Sequence, residues 1–232
     1  MGKLKTNFIA AALTVAALAA CSSTADTQMT VSGLNPKDFD STVQGKKTEL
    51  ITLKNSNGME VCLTNYGARI VSLCVPDKNG KPTDVVLGYD NIRQYADTLN
   101  SPSDFGSCVG RYANRIKNAK LVVEGKTYNL RPNDHGNCLH GGANSGWQNK
   151  VYDVQAKTDS SIVFAITSPD GDNGFPGTVK ATATYTLKSD NTLDIVFQAT
   201  TDQETVVNMT NHSYFNLNGD PSKKGENQIM YI

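Results

Sequence analysis

The sequence predicts an all-β fold, a large antiparallel β-sandwich, on the basis of three observations. Polar and apolar side chains alternate with a period of two along much of the chain, as in strands with one buried face. Turn-forming pairs such as Asn57-Gly58 and Asn79-Gly80 separate the alternating segments. Only residues 91–99 favour a helix, and that segment is short. Many strands with almost no helix indicate a sandwich or barrel.

The first half of the body of the chain predicts five strands. Each is a short run in which β-branched or other apolar residues are mixed with polar ones. In chain order, these predicted strands cover residues 49–54, 60–65, 69–75, 120–123 and 127–130. The pair Glu124-Gly125 gives the turn signal between the last two.

The second half predicts four more strands and contains the clearest alternation. These strands are expected at residues 161–167, 178–188, 192–200 and 205–210. One face of the second of them carries only apolar residues, namely Val179, Ala181, Ala183, Tyr185 and Leu187. The opposite face carries threonine and lysine. Because Ser189-Asp190-Asn191 favours a turn, the second and third strands are expected to form a hairpin.

Composition excludes several classes of protein. The 232 residues carry 22 basic and 22 acidic side chains, so the formal net charge is zero and no nucleic-acid partner is expected. The chain is 38% hydrophobic and 19% charged, which is enough apolar material for a core. Four cysteines lie in the body of the chain: Cys62, Cys74, Cys108 and Cys138. Their irregular spacing predicts no zinc knuckle and no obligatory disulfide.

Residues 1–20 predict a secretion signal and not a part of the fold. Lys3 and Lys5 precede an apolar run that is shorter than the roughly 20 residues of a membrane-spanning helix. The run ends at Cys21 after small residues, which resembles the bacterial lipobox, in which the cysteine is lipidated. An ordinary cleaved signal with an accidental cysteine is the alternative. We therefore expect a polar tether without regular order at residues 21–46. The mature protein would be secreted across the inner membrane and lipid-anchored, in the periplasm or on the outer membrane.

The three histidines, His135, His140 and His212, are the first candidates for chemistry. His140 precedes two glycines, which let the backbone pass close to a ligand. Near His212, Tyr214 and Phe215 offer an aromatic surface beside asparagine amides, a combination that suits the hydroxyl edges and C–H faces of a sugar. A loop histidine is more often a surface residue than a catalyst. No pair has zinc-ligand spacing and no acidic ligand is placed beside them, so no metal site is expected.

Three other segments carry weaker signals. Residues 110–116 contain Arg111 and Arg115, which could contact a ligand or form surface ion pairs. Residues 170–174 contain two aspartates and two glycines but lack the full pattern of a calcium loop, so a tight turn is favoured. Trp147, the only tryptophan, is expected in the core more than in a cleft wall.

Six segments form a further pattern when they are considered together. They are Asn65-Tyr66-Gly67-Ala68, Val85-Val86-Leu87-Gly88-Tyr89, Gly110-Arg111-Tyr112-Ala113-Asn114-Arg115-Ile116, Leu139-His140-Gly141-Gly142, residues 168–172 with 174–177, and Asn211-His212-Ser213-Tyr214-Phe215-Asn216-Leu217. In this order they resemble the aldose 1-epimerase family, also called galactose mutarotases, over about residues 48–232. The resemblance implies a β-sandwich of the galactose mutarotase type, with a sugar cleft on one sheet. It implies interconversion of the α and β anomers of free galactose or glucose without a required cofactor. The protein is expected to be a monomer. A structural calcium ion is compatible with this pattern.

The resemblance also implies roles for individual residues. In such enzymes a carboxylate takes the proton of the anomeric hydroxyl while a histidine protonates the ring oxygen. His212 matches that proton donor, and His140 matches the second histidine, which orients the sugar. Asn114 and Arg115 match the pair that binds sugar hydroxyls, and Tyr214 belongs to the binding segment of His212.

One part of the family pattern has no match in this chain. Family members continue past the position of Ile232, and that stretch holds the general-base glutamate and a sugar-binding aspartate. Glu226 lies in a polar turn and does not match. We therefore expect residues 47–232 to form a sandwich that is incomplete at its C-terminus. As a fragment, this chain alone is expected to have little epimerase activity.

Two alternative functions stay open at this level. A non-catalytic sugar-binding lipoprotein on the same fold would bind sugars without changing their rate of anomerisation. A relative that acts on a phosphorylated hexose would need extra cations, and the two arginines of residues 110–116 do not suffice to argue it. The expected partners are a monosaccharide and, through the lipid anchor, a membrane.

Overall fold

A computed structural model describes residues 28–100, 102–143 and 145–231. The predicted signal peptide at residues 1–20 and the predicted lipidation site Cys21 lie outside the described residues. Two four-stranded antiparallel sheets dominate the described part, beside several two-stranded pairs and the short helix α1 (Ile92–Ala96). No helix in these described ranges has the length and apolar character needed to cross a membrane.

The strands are numbered in chain order. Their bounds are β1 (Ser41–Val43), β2 (Lys46–Thr48), β3 (Leu50–Lys54), β4 (Glu60–Thr64), β5 (Arg69–Pro76), β6 (Pro82–Asp84), β7 (Cys108–Val109), β8 (Arg115–Ile116), β9 (Lys120–Val123), β10 (Lys126–Asn129), β11 (Cys138–Leu139), β12 (Asp153–Lys157), β13 (Ser161–Ser168), β14 (Val179–Leu187), β15 (Leu193–Thr201) and β16 (Thr210–Asn211). Short 3-10 turns cover Pro36–Phe39, Lys117–Ala119, Trp147–Asn149, Asp172–Gly174 and Gly225–Asn227.

The first sheet has the strand order β3-β4-β5-β6. All five residues of the central strand β4 are buried, because successive side chains point to opposite faces and both faces are covered. Val61 and Leu63 face one apolar cluster, and Cys62 between them faces another. This second cluster includes Leu34 and Phe39 from the segment that precedes β1.

The second sheet has the order β12-β13-β14-β15. The predicted hairpin is confirmed: β14 and β15 pair antiparallel from Val179 opposite Thr201 to Leu187 opposite Leu193. The five residues predicted to share the apolar face of β14 are all buried. The hydroxyl of one of them, Tyr185, donates to the carbonyl oxygen of Ala68 at 2.7 Å, which ties the second sheet to the end of the first.

The main core lies between the two sheets. One cluster of buried side chains joins Ile51 and Ile70 of the first sheet to Phe164 and Tyr185 of the second. Trp147 belongs to the same cluster and is 1% exposed, which confirms its predicted place in the core. Two antiparallel sheets that share one apolar core form a β-sandwich, and the predicted fold class is confirmed.

Most predicted elements correspond to observed ones. Every predicted strand except residues 205–210 matches an observed strand to within one residue at each end. The predicted helix 91–99 ends early, because the Asp97 carboxylate accepts the backbone N–H groups of Leu99 and Asn100 and starts a turn. The four cysteines of the body are free and buried.

Two expectations differ from the structure. Regular structure begins before Lys46, since the stretch expected as a tether contains a 3-10 turn and β1. Phe39 is fully buried there, because this segment covers the outer face of the first sheet. Residues 205–210 contribute only the start of β16, which pairs with β7. Asn208 makes an isolated parallel bridge to Tyr112 instead of continuing a ladder.

Candidate active site

His140 is fixed by the pairing of β8 with β11. Leu139 lies opposite Arg115 in this pair, so His140 and Asn114 are neighbours at its end. The backbone N–H of His140 donates to the carbonyl oxygen of Asn114 at 3.0 Å. In return, the backbone N–H of Asn114 donates to Nδ1 of His140 at 2.9 Å. Both residues have a positive φ, 68° and 53°, which is uncommon outside glycine, so this reciprocal pair holds a special backbone geometry.

His212 is fixed by the short pairing of β7 with β16. Its backbone N–H donates to the carbonyl oxygen of Ser107 at 2.8 Å, and its own carbonyl oxygen accepts from Gly106 at 3.1 Å. The side-chain amide of Asn211 donates to the carbonyl oxygen of Gly106 at 2.8 Å. These bonds join the loop before β7 to the segment that carries His212, although the two are distant in the sequence.

The two histidines and Tyr214 form one surface. The rings of His140 and His212 meet edge to face, with centroids 5.3 Å apart, and the ring of Tyr214 lies 5.2 Å from that of His212. Tyr214 is 46% exposed, because its backbone pairs with Leu87 while its ring faces outward. Beside this surface lies an open cleft of about 510 Å³. Its lining includes Asp104, Phe105, Leu139, His140, Gln148 and Tyr214.

The hydrogen bond at Nδ1 decides how His140 can act. Because Nδ1 accepts the Asn114 N–H, a neutral His140 ring carries its proton on Nε2. Burial lowers the pKa of His140, and the nearby His212 and Arg115 lower it further, against an opposing effect of Asp104. His140 is therefore suited to donate a hydrogen bond as a neutral ring near neutral pH.

Arg115 lies at the rim beside Asn114. Its Nε donates to Oδ2 of Asp134 at 2.7 Å, and its Nη1 donates to Oδ1 of Asn114 at 3.3 Å. The side chain of Arg115 is 54% exposed, so the guanidinium keeps donors available for a ligand. Asp134, which orients Arg115, carried no signal in the sequence.

Arg111 does not belong to this surface, although it shares a segment with Arg115. Its side chain is buried, and its Nη1 donates to the carbonyl oxygens of Pro176 and Gly177, both at 2.8 Å. Its Nη2 donates to the hydroxyl of Ser168 at 2.7 Å. The same hydroxyl donates to Asp172 at 2.7 Å, so residues 170–174 form the predicted tight turn around a buried cation.

The structure brings together the five residues expected to bind or transform a ligand. Asn114, His140, His212 and Tyr214 line one concave surface, and Arg115 contacts Asn114 at its edge. The remaining histidine, His135, does not line this surface. Its side chain is 95% exposed, with Nε2 4.0 Å from Oδ1 of Asp134.

Asp104, like Asp134, carried no signal in the sequence. One group of three possible metal ligands occurs among the described residues, and it consists of Asp104, His140 and His212, with ligand atoms within 4.8 Å of one another. The expectation that no acidic residue lies beside the histidines is therefore wrong. Asp104 is in the loop between α1 and β7, and no local pattern links that loop to either histidine.

Comparison with known proteins identifies the relatives of this chain. The family model for aldose 1-epimerases matches residues 49–231. An aldose 1-epimerase of Escherichia coli strain K12 is 39% identical over 188 residues, which are 81% of this chain and 53% of that protein. A galactose mutarotase of Mus musculus is 41% identical over 167 residues, 72% of this chain and 47% of that protein. The chain thus spans about half the length of the curated relatives it matches.

Solved structures agree with these relatives. A GalM/aldose epimerase homologue from C. elegans superposes with a TM-score of 0.69 and 37% identity, over 73% of this chain and 51% of that one. The galactose 1-epimerase from Lactobacillus acidophilus NCFM gives 0.66 and 30%, over 76% and 51%. The sandwich described above is therefore of the galactose mutarotase type.

Proposed function

The chain belongs to the aldose 1-epimerase family, and we propose that the protein interconverts the α and β anomers of free aldohexoses such as galactose and glucose. The single observation that carries the proposal is the geometry of His140 and His212, whose rings meet at a centroid distance of 5.3 Å beside an open cleft. Enzymes of this family act without a cofactor, so the chemistry falls on protein side chains.

In the proposed mechanism, His212 is the general acid. A base takes the proton from the anomeric hydroxyl, the bond between C1 and the ring oxygen breaks, and His212 protonates that oxygen. The open aldehyde rotates about C1–C2, and the same steps in reverse close the ring as the other anomer. An imidazole suits this task because its ordinary pKa lies near working pH, so it can give and recover one proton in each cycle.

His140 is assigned a different role from His212. Its Nδ1 already accepts the backbone N–H of Asn114, so the neutral ring offers its Nε2–H to a sugar oxygen. A neutral donor holds a sugar oxygen in place without giving up its proton. His140 therefore orients the sugar, while His212 transfers the proton.

The remaining groups are proposed to hold the sugar. Arg115, oriented by Asp134, and the amide of Asn114 offer hydrogen bonds to hydroxyl groups. The exposed ring of Tyr214 offers an apolar face to the C–H side of the sugar. Of the two arginines in residues 110–116, Arg115 lies at this rim and Arg111 faces the core. This arrangement favours a neutral sugar over a phosphorylated one.

The base is proposed to be the glutamate that the family uses, for which this chain has no matching motif. The carboxylates beside the described site, Asp104 and Asp134, do not correspond to that glutamate in sequence. We therefore expect the 232-residue chain alone to bring α-galactose to equilibrium no faster than buffer does. A rate well above the spontaneous one, lost in His212→Ala, would contradict this expectation.

The test is polarimetry of freshly dissolved α-galactose or α-glucose with the intact protein, by which we mean a protein that also carries the family's glutamate. We expect a faster approach to equilibrium, and a loss of about 100-fold or more in His212→Ala, because the ring oxygen loses its proton donor. Lys157→Ala is the control, since this exposed residue of β12 is not among the residues that line the cleft. Saturable sugar binding without any rate effect would instead favour the non-catalytic sugar-binding protein.

We also propose that the protein is exported and anchored through a lipid on Cys21. The support is the sequence alone: a basic start, an apolar run and small residues directly before the cysteine. On this proposal the sugar would be met in the periplasm or at the cell surface.

A further inference from the structure

Asp104 is a carboxylate without an assigned role, and it lies beside both histidines. One of its oxygens, a ring nitrogen of His140 and a ring nitrogen of His212 lie within 4.8 Å of one another. All three side chains are half-buried. Asp104 and His140 both line the open cleft, so the space between them is accessible to a ligand. Within the described ranges, no residue donates a hydrogen bond to the Asp104 carboxylate.

The position of Asp104 is fixed by its backbone. Nη1 of the buried Arg69 donates to the carbonyl oxygens of Ser103 and Phe105, at 3.1 and 2.9 Å, on either side of Asp104. The carbonyl oxygen of Asp104 itself accepts from the backbone N–H and the hydroxyl of Ser107, at 3.1 and 2.8 Å. A loop anchored on both sides presents its carboxylate at a defined place.

The spacing of the three groups fits a shared oxygen atom better than a metal ion. Two groups that each lie about 2.8 Å from one oxygen are about 4.6 Å apart when the angle between them is near tetrahedral. Two ligands of a tetrahedral zinc ion, each about 2.1 Å away, are only about 3.4 Å apart. The ligand atoms of the group lie within 4.8 Å of one another, and no ion pair within 4.0 Å joins Asp104 to either ring in the described part of the chain. The Asp104 oxygen is therefore further from each ring nitrogen than two ligands of one zinc ion would be.

The hydrogen-bonding capacity of the groups identifies the kind of oxygen. His140 donates through Nε2, because its Nδ1 accepts the Asn114 N–H. An ionised aspartate only accepts. An oxygen bonded to both must therefore accept one hydrogen bond and donate another. A hydroxyl group does this, whereas a phosphate, carboxylate or carbonyl oxygen has no proton to donate.

We propose that Asp104 is a further substrate-binding residue, which accepts a hydrogen bond from a non-reacting sugar hydroxyl whose oxygen also accepts from His140. This inference rests on the proposed function, because it adds a contact within the same sugar site. It gives Asp104 an effect on specificity: only sugars with a hydroxyl at that position gain the bond. His212 stays free to protonate the ring oxygen.

The experiment compares Asp104→Asn with Asp159→Asn in the intact protein. Asp159 is an exposed aspartate in the turn between β12 and β13, does not line the cleft, and serves as the matched control. The values of kcat and KM are measured on galactose and on its 2-, 3-, 4- and 6-deoxy analogues. Thermal melting of each variant establishes that it is folded. Asp104→Ser is measured in the same way and replaces Asp104→Asn if that variant does not fold.

We expect Asp104→Asn to lower kcat/KM on galactose by about tenfold or more, mostly through KM, because a charge-assisted hydrogen bond is replaced at best by a weaker neutral one. On the deoxy sugar that lacks the contacted hydroxyl, Asp104→Asn should have almost the same kcat/KM as the wild type. Asp159→Asn should match the wild type throughout.

Three outcomes would overturn the inference. Asp104→Asn could match the control on every sugar, which would leave only a bound water at the group. The loss could persist on every deoxy sugar, which would place Asp104 on the reacting anomeric hydroxyl. Titration with Zn²⁺ could show tight binding that disappears in Asp104→Asn, which would identify a metal site.

The inference can also be separated from the proposed function. If the intact wild-type protein does not accelerate mutarotation, the proposed function fails. The same variants are then compared by calorimetric titration with galactose and the deoxy sugars. Weaker binding of galactose, but not of one deoxy sugar, in Asp104→Asn supports the contact even then, and equal binding refutes it.

Discussion

Arg111 and Arg115 are four positions apart in one segment but have unrelated roles. The buried guanidinium of Arg111 supplies hydrogen bonds to backbone carbonyl oxygens of the loop that follows β13. Arg115 extends outward, where Asp134 orients it. Sequence spacing could not distinguish them, because the difference arises from which face of a short, irregular segment meets the core.

Matched substitutions of the two arginines should therefore separate stability from binding. Arg111→Met is expected to lower the free energy of unfolding by about 3 kcal/mol or more, since buried carbonyl oxygens lose their donors. Arg115→Met should change it by less than about 0.5 kcal/mol, as for most exposed positions, and should weaken sugar binding instead. Urea unfolding and sugar titration measure the two effects. Equal loss of stability in both variants would contradict the assignment.

His140 gives a prediction for pH. Burial lowers its pKa from the ordinary 6.5, so the unfolded chain takes up the proton first as the pH falls. The stability that the neutral ring contributes is complete above about pH 6.5 and is lost as the pH falls through and below that value.

Urea unfolding between about pH 7.5 and 5 should therefore show a larger loss of stability in the wild type than in His140→Gln, which has no titrating group there. An NMR titration of the His140 ring gives a direct check, with a midpoint expected below 6.5. A midpoint above 6.5, or equal pH dependence in the two proteins, would refute the burial argument.

At the scale of elements, the site depends on close contacts between short pairs of strands. Gly141, directly after β11, has a φ of 78°, and a side chain there would overlap the carbonyl oxygen of Gly110. Gly80, in the turn before β6, has a φ of 79° but open space around it. The first glycine is required by its conformation and by close approach, and the second by its conformation alone.

We expect Gly141→Ala to destabilise the protein by about 1–3 kcal/mol more than Gly80→Ala does. Both substitutions place a side chain at a positive φ, so their difference isolates the overlap with Gly110. Because His140 is the neighbour of Gly141, sugar binding should fall with it. Thermal or urea unfolding of the two variants measures the difference, and equal destabilisation would show that the backbone moves apart at little cost.

At the scale of the whole molecule, the segment before β1 is part of the fold. Leu34 and Phe39 cover the outer face of the first sheet, together with Tyr66 and Tyr95. The predicted anchor at Cys21 therefore precedes the folded body by only a short stretch.

Cys21→Ser is expected to move the protein from the membrane fraction to the soluble fraction of the exported material, because the thiol that carries the lipid is removed. The melting temperature of the purified body should not change, since Cys21 precedes the described residues that form the core. Cys138→Ser is the control for the loss of a thiol elsewhere in the chain. Membrane association that persists in Cys21→Ser would refute the anchor.

Local patterns predicted the strands well, for a physical reason. The alternation from Val179 to Leu187 is a property of consecutive residues on a pleated strand, and the same residues are buried in the structure. The segment 205–210 shows the limit of this logic. It alternates as a strand would, but its neighbours are the short β7 and the loop at Tyr112, so only its end joins a ladder.

Patterns of neighbouring residues identified the sandwich class and the core face of β14, and the family pattern identified the two site histidines. The folded structure was needed to show that Asp104 lies beside His140 and His212, that Asp134 orients Arg115, and that Arg111 is buried. Alternation and turn signals are encoded by neighbouring residues. Contacts among three loops on different strands depend on how the strands are paired and packed, and no local pattern of residues carries that information.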